Sequence, residues 1–468
     1  MELPVRLERD SLGEVPVPVD ALYGAQTMRA IENFPISGLR AHPEFVRATA
    51  LVKWAAAETN RELGLLAPDL AAAIVSAAKE IVDGQWRDQF VVDVFQAGAG
   101  TSHNMNANEV IANLANEKLG GERGQYQPVH PNDHVNMGQS TNDVYPTTMR
   151  VASIVMLERM AIAADGIAAE LRAKAAAFDS IVKPARTHLQ DAVPIRLGQE
   201  FGGYAHAIEQ AARRLRDDAT GLREINLGAT AAGTGLNAPL AYRTLVAATL
   251  SRFSGLDLRP ASNYFAVTES MADFGRCSAG LRSLALELIR IANDLRLLSS
   301  GPRTAIAEIT LPPVQPGSSI MPGKVNPVMA EMLDMVCFQV IGNDLAVSLA
   351  VQAGQLDLNV MMPVIAFNLI WSAEILTNAV RVFSARCVEG ITANAERCRF
   401  LVEQDLSIAT ALNPYLGYST VASVVQEAWA TNRGIREVIL QRGLMPVEEL
   451  DRALDLRRMT EPGIVGRD

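Results

Sequence analysis

The sequence predicts a mainly α-helical fold built around a bundle of long helices. Apolar residues from Phe274 to Leu298 recur every three or four positions, which is the pattern of one helix face. Aromatic residues make up only 5% of the 468-residue chain, and the abundant alanine and leucine favour helix. The proline-free stretch between Pro260 and Pro302 has room for a helix of about 35 residues, about 50 Å long. A helix of that length needs several partners, so we expect bundle packing together with oligomerisation.

The N-terminal region has a different character. Residues 1–47 are rich in proline and glycine with weak periodicity, which predicts turns, short strands and one short helix. From about Pro43 to Glu80 the pattern becomes helical, with interruptions near Gly64 and Pro68. We therefore expect a mixed N-terminal region that leads into helices.

The central and C-terminal helices follow from the same apolar spacing. One long helix is predicted beyond Pro146 and another from about 197 to 215, and two more occupy roughly 327–353 and 359–390. The segment after them has shorter amphipathic helices and more charge, which indicates a small separate domain. The predicted domains are an N-terminal domain (1–139), a central helical-bundle domain (140–391) and a small C-terminal helical domain (392–468).

Composition excludes several classes of partner. The formal charge of −10 argues against nucleic acid or an anionic membrane as the main partner. The four cysteines form no CxxC pair, and no histidine lies at metal-ligand spacing from them. The N-terminus has no apolar signal core, and no run approaches 18 uninterrupted apolar residues. We predict a soluble, cytoplasmic protein with reduced thiols and no metal.

The loop Gly317–Pro327, with the sequence GSSIMPGKVNP, concentrates polar groups. It holds two adjacent hydroxyls (Ser318 and Ser319), a cation (Lys324) and an amide (Asn326). Proline and glycine punctuate it, and Asn326 is suited to cap the helix that follows. A helix N-terminus next to a lysine makes a site for an anion such as a carboxylate. The alternative is a flexible linker whose polar residues meet only water.

A second polar stretch is Phe90–Glu109. Its apolar run ends in Gly98–Gly100, followed by Thr101 and other polar residues. Glycines let backbone N–H groups approach a ligand, and the hydroxyls can bind an oxyanion, although an ordinary tight turn has the same sequence. His103 either lines this site or has a structural role.

The third polar stretch is Val129–Pro146. It places three consecutive donors, Ser140, Thr141 and Asn142, just before a predicted helix. Such donors can bind a carboxylate and an amine, and they are also the residues that helix starts use. Both interpretations can hold together.

Two other places carry candidate groups. The segment Arg186–Pro194 interrupts two helices and supplies Thr187 and His188. Arg29 can reach a substrate carboxylate or form a structural ion pair. The glycine-rich segment 226–237 is expected to pack around the rim of a site.

The loops around Thr101, Ser140 and Ser318 resemble the shared loops of the aspartase/fumarase superfamily, and the resemblance runs from Leu22 to about Gly466. Members of that family catalyse reversible eliminations that release fumarate. The resemblance implies a homotetramer whose long helices build a multi-subunit core, with each composite active site assembled from three subunits. It requires no cofactor and no metal.

The resemblance also implies roles for the candidate residues. Ser318 would be the base that removes the Cβ proton, provided that backbone N–H groups and Lys324 lower the pKa of its hydroxyl. His188 is the rival base, otherwise a substrate binder or relay, and Glu331 would fix its tautomer. The expected catalytic residues are Ser318, His188 and Lys324. Thr101, Ser140, Thr141 and Ser319 would stabilise an aci-carboxylate intermediate, Thr187, Lys324 and Asn326 would hold the other carboxylate, and Asn142 and His188 would face the leaving amine.

The leaving group is predicted from the flanking sequence. DVFQAGAGTS, KVNPVMAE and AGQLDLNVM look more like aspartases, whereas VHPNDHVN leans towards fumarases, in which the segment of His130, Asn132 and Asp133 forms a secondary anion site. We expect reversible deamination of L-aspartate to fumarate and ammonia. The alternatives are a class II fumarase, a lyase of a substituted aspartate (because of His103 and Met362), and a non-catalytic oligomeric scaffold.

Overall fold

The computed structural model describes residues 4–466 and is mainly α-helical, as predicted. Its contacts divide the chain into two compact units. The first unit comprises the residues up to 162, 212–285 and 337–377, and the second comprises 163–211, 286–336 and the residues from 378 onward. Five long helices contribute residues to both units. The division into three domains stays a prediction.

The N-terminal elements belong to the first unit, and they match the predicted mixture. An antiparallel hairpin precedes four helices. These elements are β1 (Val5–Asp10), β2 (Gly13–Pro18), α1 (Ala25–Asn33), α2 (Pro43–Glu62), α3 (Pro68–Val82) and α4 (Thr101–Lys118). Arg29 donates from Nε and Nη2 to the two oxygens of Asp10, at 2.6 and 2.9 Å. The structural interpretation of Arg29 is therefore confirmed.

Five long helices follow: α5 (Thr141–Ala177), α6 (Leu197–Ala219), α9 (Ala272–Leu298), α10 (Val328–Gln352) and α11 (Met362–Arg386). Polar bonds link neighbouring helices within each unit. In the first unit Ser278 of α9 donates to Asp344 of α10, at 2.7 Å, and Asn343 donates to Ser372 of α11, at 2.9 Å. Their buried apolar faces form a large part of the core.

The helix predicted at about 35 residues is shorter. Helix α9 has 27 residues, and α8 (Tyr264–Glu269) precedes it as a separate helix. The break lies at Ser270, whose backbone is extended and whose hydroxyl accepts a hydrogen bond from the N–H of Ala272. A serine that bonds to the nearby backbone in this way competes with helix formation. The longest helix is instead α5, with 37 residues.

Short elements connect these helices. They are the hairpin β3 (Val182–Thr187) and β4 (Gln190–Arg196), the strands β5 (Glu224–Ile225), β6 (Arg259–Pro260), β7 (Ile309–Thr310) and β8 (Thr392–Ala393), and the helix α7 (Tyr242–Ser254). The C-terminal helices of the second unit are α12 (Ala395–Gln404), α13 (Asn413–Leu416), α14 (Tyr418–Thr431), α15 (Ile435–Gln441) and α16 (Val447–Ala453). All four cysteines are buried thiols, and none of them forms a disulfide with another described residue.

Helix α10 carries an exposed apolar stripe. Met335, Phe338, Leu345 and Leu349 are each more than half exposed, and their spacing of 3, 7 and 4 residues keeps them on one face. By length and composition, α10 and the segment Met362–Gly390 could each cross a membrane, but core helices of other proteins meet the same criteria. The absence of a membrane partner stays a prediction.

Candidate active site

The predicted site residues fall on two sets of elements. Thr101, Ser140, Thr141 and Asn142 lie in the first unit, at the N-termini of α4 and α5. The second unit holds the remaining six: Thr187, His188, Ser318, Ser319, Lys324 and Asn326.

The glycine-rich turn before α4 is tightly held. Gly100 has φ of 82°, and a Cβ there would lie 2.1 Å from the ring of Tyr145, so only glycine fits. The N–H of Ala99 donates to the carbonyl of Val360, at 2.8 Å. Thr101 follows, exposed at the first position of α4. The turn therefore presents a hydroxyl at a helix N-terminus, where anions are stabilised.

Asp143 organises the start of α5. Its Oδ1 accepts from the N–H of Ser140, at 2.9 Å, and the Ser140 hydroxyl accepts from the N–H of Asn142, at 3.2 Å. The Ser140 hydroxyl thus bonds the second amide of the helix, and the Asp143 side chain bonds back to the N-cap amide, a variant of the capping box. Oδ2 of Asp143 accepts from the N–H groups of Gly228 and Thr230, both at 2.9 Å. Asp143 thus joins the donors at the helix start to the glycine-rich segment 226–237, which lies beside them as predicted.

Asp143 is fully buried, and this burial raises the pKa of its carboxyl to about 7, although the backbone N–H groups and the nearby Lys53 oppose the shift.

Asn142 is bound to that segment by both its side chain and its backbone. Its Nδ2 donates to the carbonyl of Ala231, at 2.7 Å, which leaves Oδ1 as the free acceptor. Its carbonyl accepts from Nδ2 of Asn226, at 3.2 Å. Pro146 lies four residues further along α5 and has no N–H, so this carbonyl lacks the i+4 partner that it would otherwise have in the helix. Asn142 can therefore offer an acceptor to a ligand that carries N–H or O–H donors.

A buried polar network lies behind Thr141. The Thr141 hydroxyl accepts from Nδ2 of Asn104, at 3.0 Å. Lys53 is fully buried and donates to Oδ1 of Asn136, at 2.9 Å, and to Oε1 of Gln139, at 3.0 Å. Burial lowers the pKa of Lys53 to about 7. Neither Lys53 nor Asn104 is among the residues predicted from the sequence. A lone lysine within the apolar run LVKWAAA of α2 is the feature that could have indicated a buried charge there.

His103 belongs to the core. It is 2% exposed and packs against the rings of Phe45, Phe90 and Tyr145. The Thr49 hydroxyl donates to the carbonyl of Phe45, at 2.9 Å, so Nε2 of His103 is the donor in its 2.9 Å contact with that hydroxyl. Burial, and secondarily the charge of Lys53, lowers the pKa of His103 to about 3. Of the two interpretations of His103, the structural one holds.

Thr187 and His188 lie at the tip of the β3–β4 hairpin in the second unit. His188 and Leu189 form a two-residue turn in which both residues have positive φ, 57° and 60°, as type I′ turns require. Both Thr187 and His188 are exposed.

The base of this hairpin contains a buried ion cluster. Glu308 is fully buried, and its two oxygens lie 2.7 Å from Nζ of Lys183 and 2.8 Å from Nη1 of Arg186. Arg186 immediately precedes Thr187. The cluster therefore anchors β3 directly below the residues that the sequence singled out.

The loop 317–327 folds back on itself. The N–H of Gly317 donates to the carbonyl of Lys324, at 2.9 Å, and Nδ2 of Asn326 donates to the carbonyl of Gly317, at 2.7 Å. The prediction that Asn326 caps α10 is therefore wrong, because its amide closes the loop instead, and the helix begins at Val328.

Within this loop, the Ser318 hydroxyl oxygen accepts from two backbone N–H groups. These are the N–H of Ile320, at 3.2 Å, and that of Met321, at 3.0 Å. Ser319 and Lys324 are exposed beside it. Two N–H donors on one hydroxyl oxygen favour its deprotonated form.

Several predicted relations do not form within the chain. Among the described residues, no hydrogen bond or ion pair joins Glu331 to His188. Nδ1 of His130 accepts from the N–H groups of Asn132 and Asp133, so this ring caps a turn. Met362 is fully buried. Residues 4–466 contain no group of three or more His, Cys, Asp or Glu side chains arranged to hold a metal ion.

Comparisons with known proteins show which family the chain resembles. Residues 13–342 match the model of a family described as Lyase, and 408–461 match one described as Fumarase C C-terminus. An aspartate ammonia-lyase of a Bacillus species is 49% identical over 467 residues, covering 100% of both chains. A class II fumarate hydratase of Halobacterium salinarum is also 49% identical, over 99% of this chain and 98% of its own length.

Solved structures show the same likeness. A fumarate lyase:delta crystallin from Brucella melitensis superposes with a TM-score of 0.95 at 49% identity, covering 98% of this chain and 100% of its own. A class II fumarase from Schistosoma mansoni has a TM-score of 0.95 at 36% identity, covering 98% and 99% of the two chains.

The chain belongs to the aspartase/fumarase superfamily of lyases. The expected superfamily is thereby confirmed, and with it the expectation of an enzyme of the carbon–nitrogen lyase class.

The buried neutral His103 makes stability depend on pH. In the unfolded chain the imidazole has its ordinary pKa of 6.5, whereas burial in the folded protein lowers that pKa to about 3. Unfolding is therefore favoured as pH falls through this window, by about 1.4 kcal/mol for each pH unit below 6.5. We expect His103→Gln, which keeps a donor for Thr49, to remove this dependence.

Urea unfolding of wild type and His103→Gln between pH 7.5 and about pH 5 measures the difference. Parallel curves of unfolding free energy against pH for the two proteins would contradict the prediction.

Proposed function

We propose that the protein catalyses the reversible deamination of L-aspartate to fumarate and ammonia. The observation that carries this proposal is the Ser318 hydroxyl, which accepts two backbone hydrogen bonds in the loop 317–327. A serine is a useful base only if its alkoxide is stabilised. The same donors that hold the loop are suited to stabilise that alkoxide, with Lys324 as the nearby cation.

The reaction needs donors that stabilise added negative charge. Removing the Cβ proton places a second negative charge on a carboxylate, and preorganised donors lower the energy of that aci-carboxylate. Ser140 and Thr141 suit this role because each hydroxyl oxygen already accepts a protein N–H. Their own protons are thus free to point towards a substrate, and Thr101 and Ser319 complete the set.

The remaining groups would bind the other parts of the substrate. Thr187, Lys324 and Asn326 would hold the second carboxylate. Oδ1 of Asn142 is an acceptor because its Nδ2 is engaged by Ala231, and an ammonium group is purely a donor. Asn142 therefore favours an amine at Cα, with His188 as its partner and as the rival base.

A class II fumarase is the second candidate. Its support is the 49% identity to the Halobacterium salinarum hydratase, equal to the identity with the Bacillus ammonia-lyase. His103 and Met362 no longer support a substituted-aspartate substrate, because both side chains are in the core. A non-catalytic scaffold is the remote alternative, and it has to account for a complete set of donors.

We further propose a homotetramer with composite sites and a cytoplasmic location. The exposed tip with Thr187 and His188 needs partners from outside its own hairpin, and the apolar stripe of α10 needs a covering surface. Helices of other subunits would meet both needs.

Fumarate absorbs ultraviolet light, so its formation separates the candidates. Purified protein is given L-aspartate in one cuvette and L-malate in another. We expect a signal from aspartate that reverses when ammonium is added. A signal from malate alone would make the protein a fumarase, and silence from both would contradict the lyase proposal.

Replacing the proposed base gives a direct test of mechanism. We expect Ser318→Ala to lower kcat by about a thousandfold or more, because general-base catalysis contributes on the order of 10²–10⁴. Thermal unfolding and oligomeric mass should stay unchanged, since within residues 4–466 the hydrogen bonds of this hydroxyl lie in its own loop. Ser319→Ala is the matched control and should weaken substrate binding without abolishing turnover. Near-normal turnover in Ser318→Ala would assign the base elsewhere.

The exposed apolar stripe on α10 gives a test of the proposed assembly. Phe338→Glu places a charge in the centre of a surface that we expect to be covered, so it should reduce the molecular mass in light scattering and abolish activity at the same time. Leu12→Glu is the control, because Leu12 is 78% exposed in a hairpin turn outside the stripe. An unchanged mass for Phe338→Glu would contradict a role of this face in assembly.

A further inference from the structure

The hydrogen bonds behind Thr141 have a fixed direction. Lys53 can only donate when protonated, and its Nζ lies 2.9 Å from Oδ1 of Asn136. The Nδ2 of Asn136 is separately engaged by the carbonyl of Gln139, at 3.2 Å. Two independent contacts therefore orient the Asn136 amide with its oxygen towards α4.

That orientation determines the next amide. With the Asn136 oxygen as an acceptor, Asn104 must present its Nδ2, at 3.3 Å. The second hydrogen of the same Nδ2 then points to the Thr141 hydroxyl oxygen, at 3.0 Å. An amide turned the other way would place two oxygens in contact. The Thr141 oxygen is thus an acceptor towards the protein.

These contacts determine the direction in which the Thr141 hydroxyl proton points. Since a neighbouring donor already occupies one lone pair of the oxygen, Thr141 directs its O–H away from Asn104. Asn104 is 2% exposed, and no donor within residues 4–466 reaches its Oδ1. The fold therefore leaves a buried acceptor without a protein partner, at a cost of about 1–3 kcal/mol, while keeping Nδ2 on Thr141.

We propose that Asn104 is a positioning residue that, held by Asn136 and Lys53, makes the Thr141 hydroxyl an obligate donor to the substrate carboxylate. This inference rests on the proposed function, because it names how one of the carboxylate-binding groups is oriented. Asn104 is buried behind Thr141 and would act through it. Its effect passes through the direction of a single proton.

Asn104→Asp tests the direction without changing the size of the side chain. A carboxylate has no N–H, so Thr141 would donate to it and lose its donor role towards the substrate. The nearby Lys53 offsets the new buried charge. We expect kcat/KM for aspartate to fall about ten- to a hundredfold, mainly through kcat, because the bond strengthens as charge develops.

Asn108→Asp is the matched control. Asn108 is also buried on α4, and its Nδ2 also donates to Oδ1 of Asn136, at 3.2 Å, but no hydrogen bond joins it to Thr141. Both variants remove a donor from Asn136 and add one carboxylate. We expect Asn108→Asp to keep kcat/KM within about threefold of wild type, although its melting temperature shifts as much as that of Asn104→Asp.

The outcomes separate the possible roles. Equal losses of kcat/KM in the two variants would reduce Asn104 to a structural residue, and wild-type activity in Asn104→Asp would overturn the inference outright. If Asn104→Asp does not fold, Asn104→Ala replaces it and should show a smaller loss in kcat, because the Thr141 proton is no longer directed but no new acceptor takes it; an unchanged kcat would overturn the inference.

Failure of the proposed function is distinguishable from failure of this inference. If the wild-type protein turns over neither aspartate nor malate, the proposed function fails. The inference is then judged by calorimetric binding of succinate, which Asn104→Asp should weaken about tenfold and Asn108→Asp should not. Equal succinate affinity in all three proteins would overturn it.

Discussion

The buried carboxylate of Asp143 is the interaction on which the first set of site residues depends. One oxygen closes the N-terminal turn of α5 through Ser140, and the other binds two N–H groups of the segment 226–237. Four backbone or charge partners compensate part of the cost of burying this group. A helix start and a glycine-rich loop, far apart in sequence, are thereby held as one rigid surface. Loss of that carboxylate would leave the hydrogen bonds of Asn142 to hold the two together.

A second principle links the hydroxyls of the site. Ser140, Thr141 and Ser318 each accept at least one hydrogen bond from the protein. In the proposed reaction, Ser140 and Thr141 would each have a proton to donate, and Ser318 would have a stabilised oxygen that takes one. Donors that are already in place would then need little reorganisation during reaction.

The sequence predicts the fold class and the long helices well, because their apolar spacing is regular over many turns. Helices α10 and α11 lie within a few residues of their predicted bounds. The predicted length of α9 is too great because the chain breaks at Ser270, whose hydroxyl accepts a hydrogen bond at the start of the next helix. The spacing of apolar residues does not reveal such a contact. Asn326 was assigned to the helix cap because its residue type suits one, whereas its actual partner lies at Gly317, nine residues earlier.

The roles of the site residues were less accessible from sequence. The candidate hydroxyls came from motifs, but the groups that orient them did not. Lys53 lies in an apolar helix about 50 positions before Asn104 in the chain, and only the folded chain brings it to Asn136. Hydrogen-bond direction is a property of three-dimensional neighbours, so residue type and spacing could not supply it. His103 shows the reverse case, in which a polar residue inside a motif is a core residue.

Pro146 gives the first turns of α5 an unusual property. By lacking an N–H, it releases the carbonyl of Asn142, and Asn226 takes that carbonyl. Any other residue at this position would bring an amide hydrogen that competes for the same oxygen. A residue known for breaking helices therefore leaves a backbone carbonyl available to bind another part of the chain. Selection on this proline would concern the attachment of a loop rather than the shape of the helix.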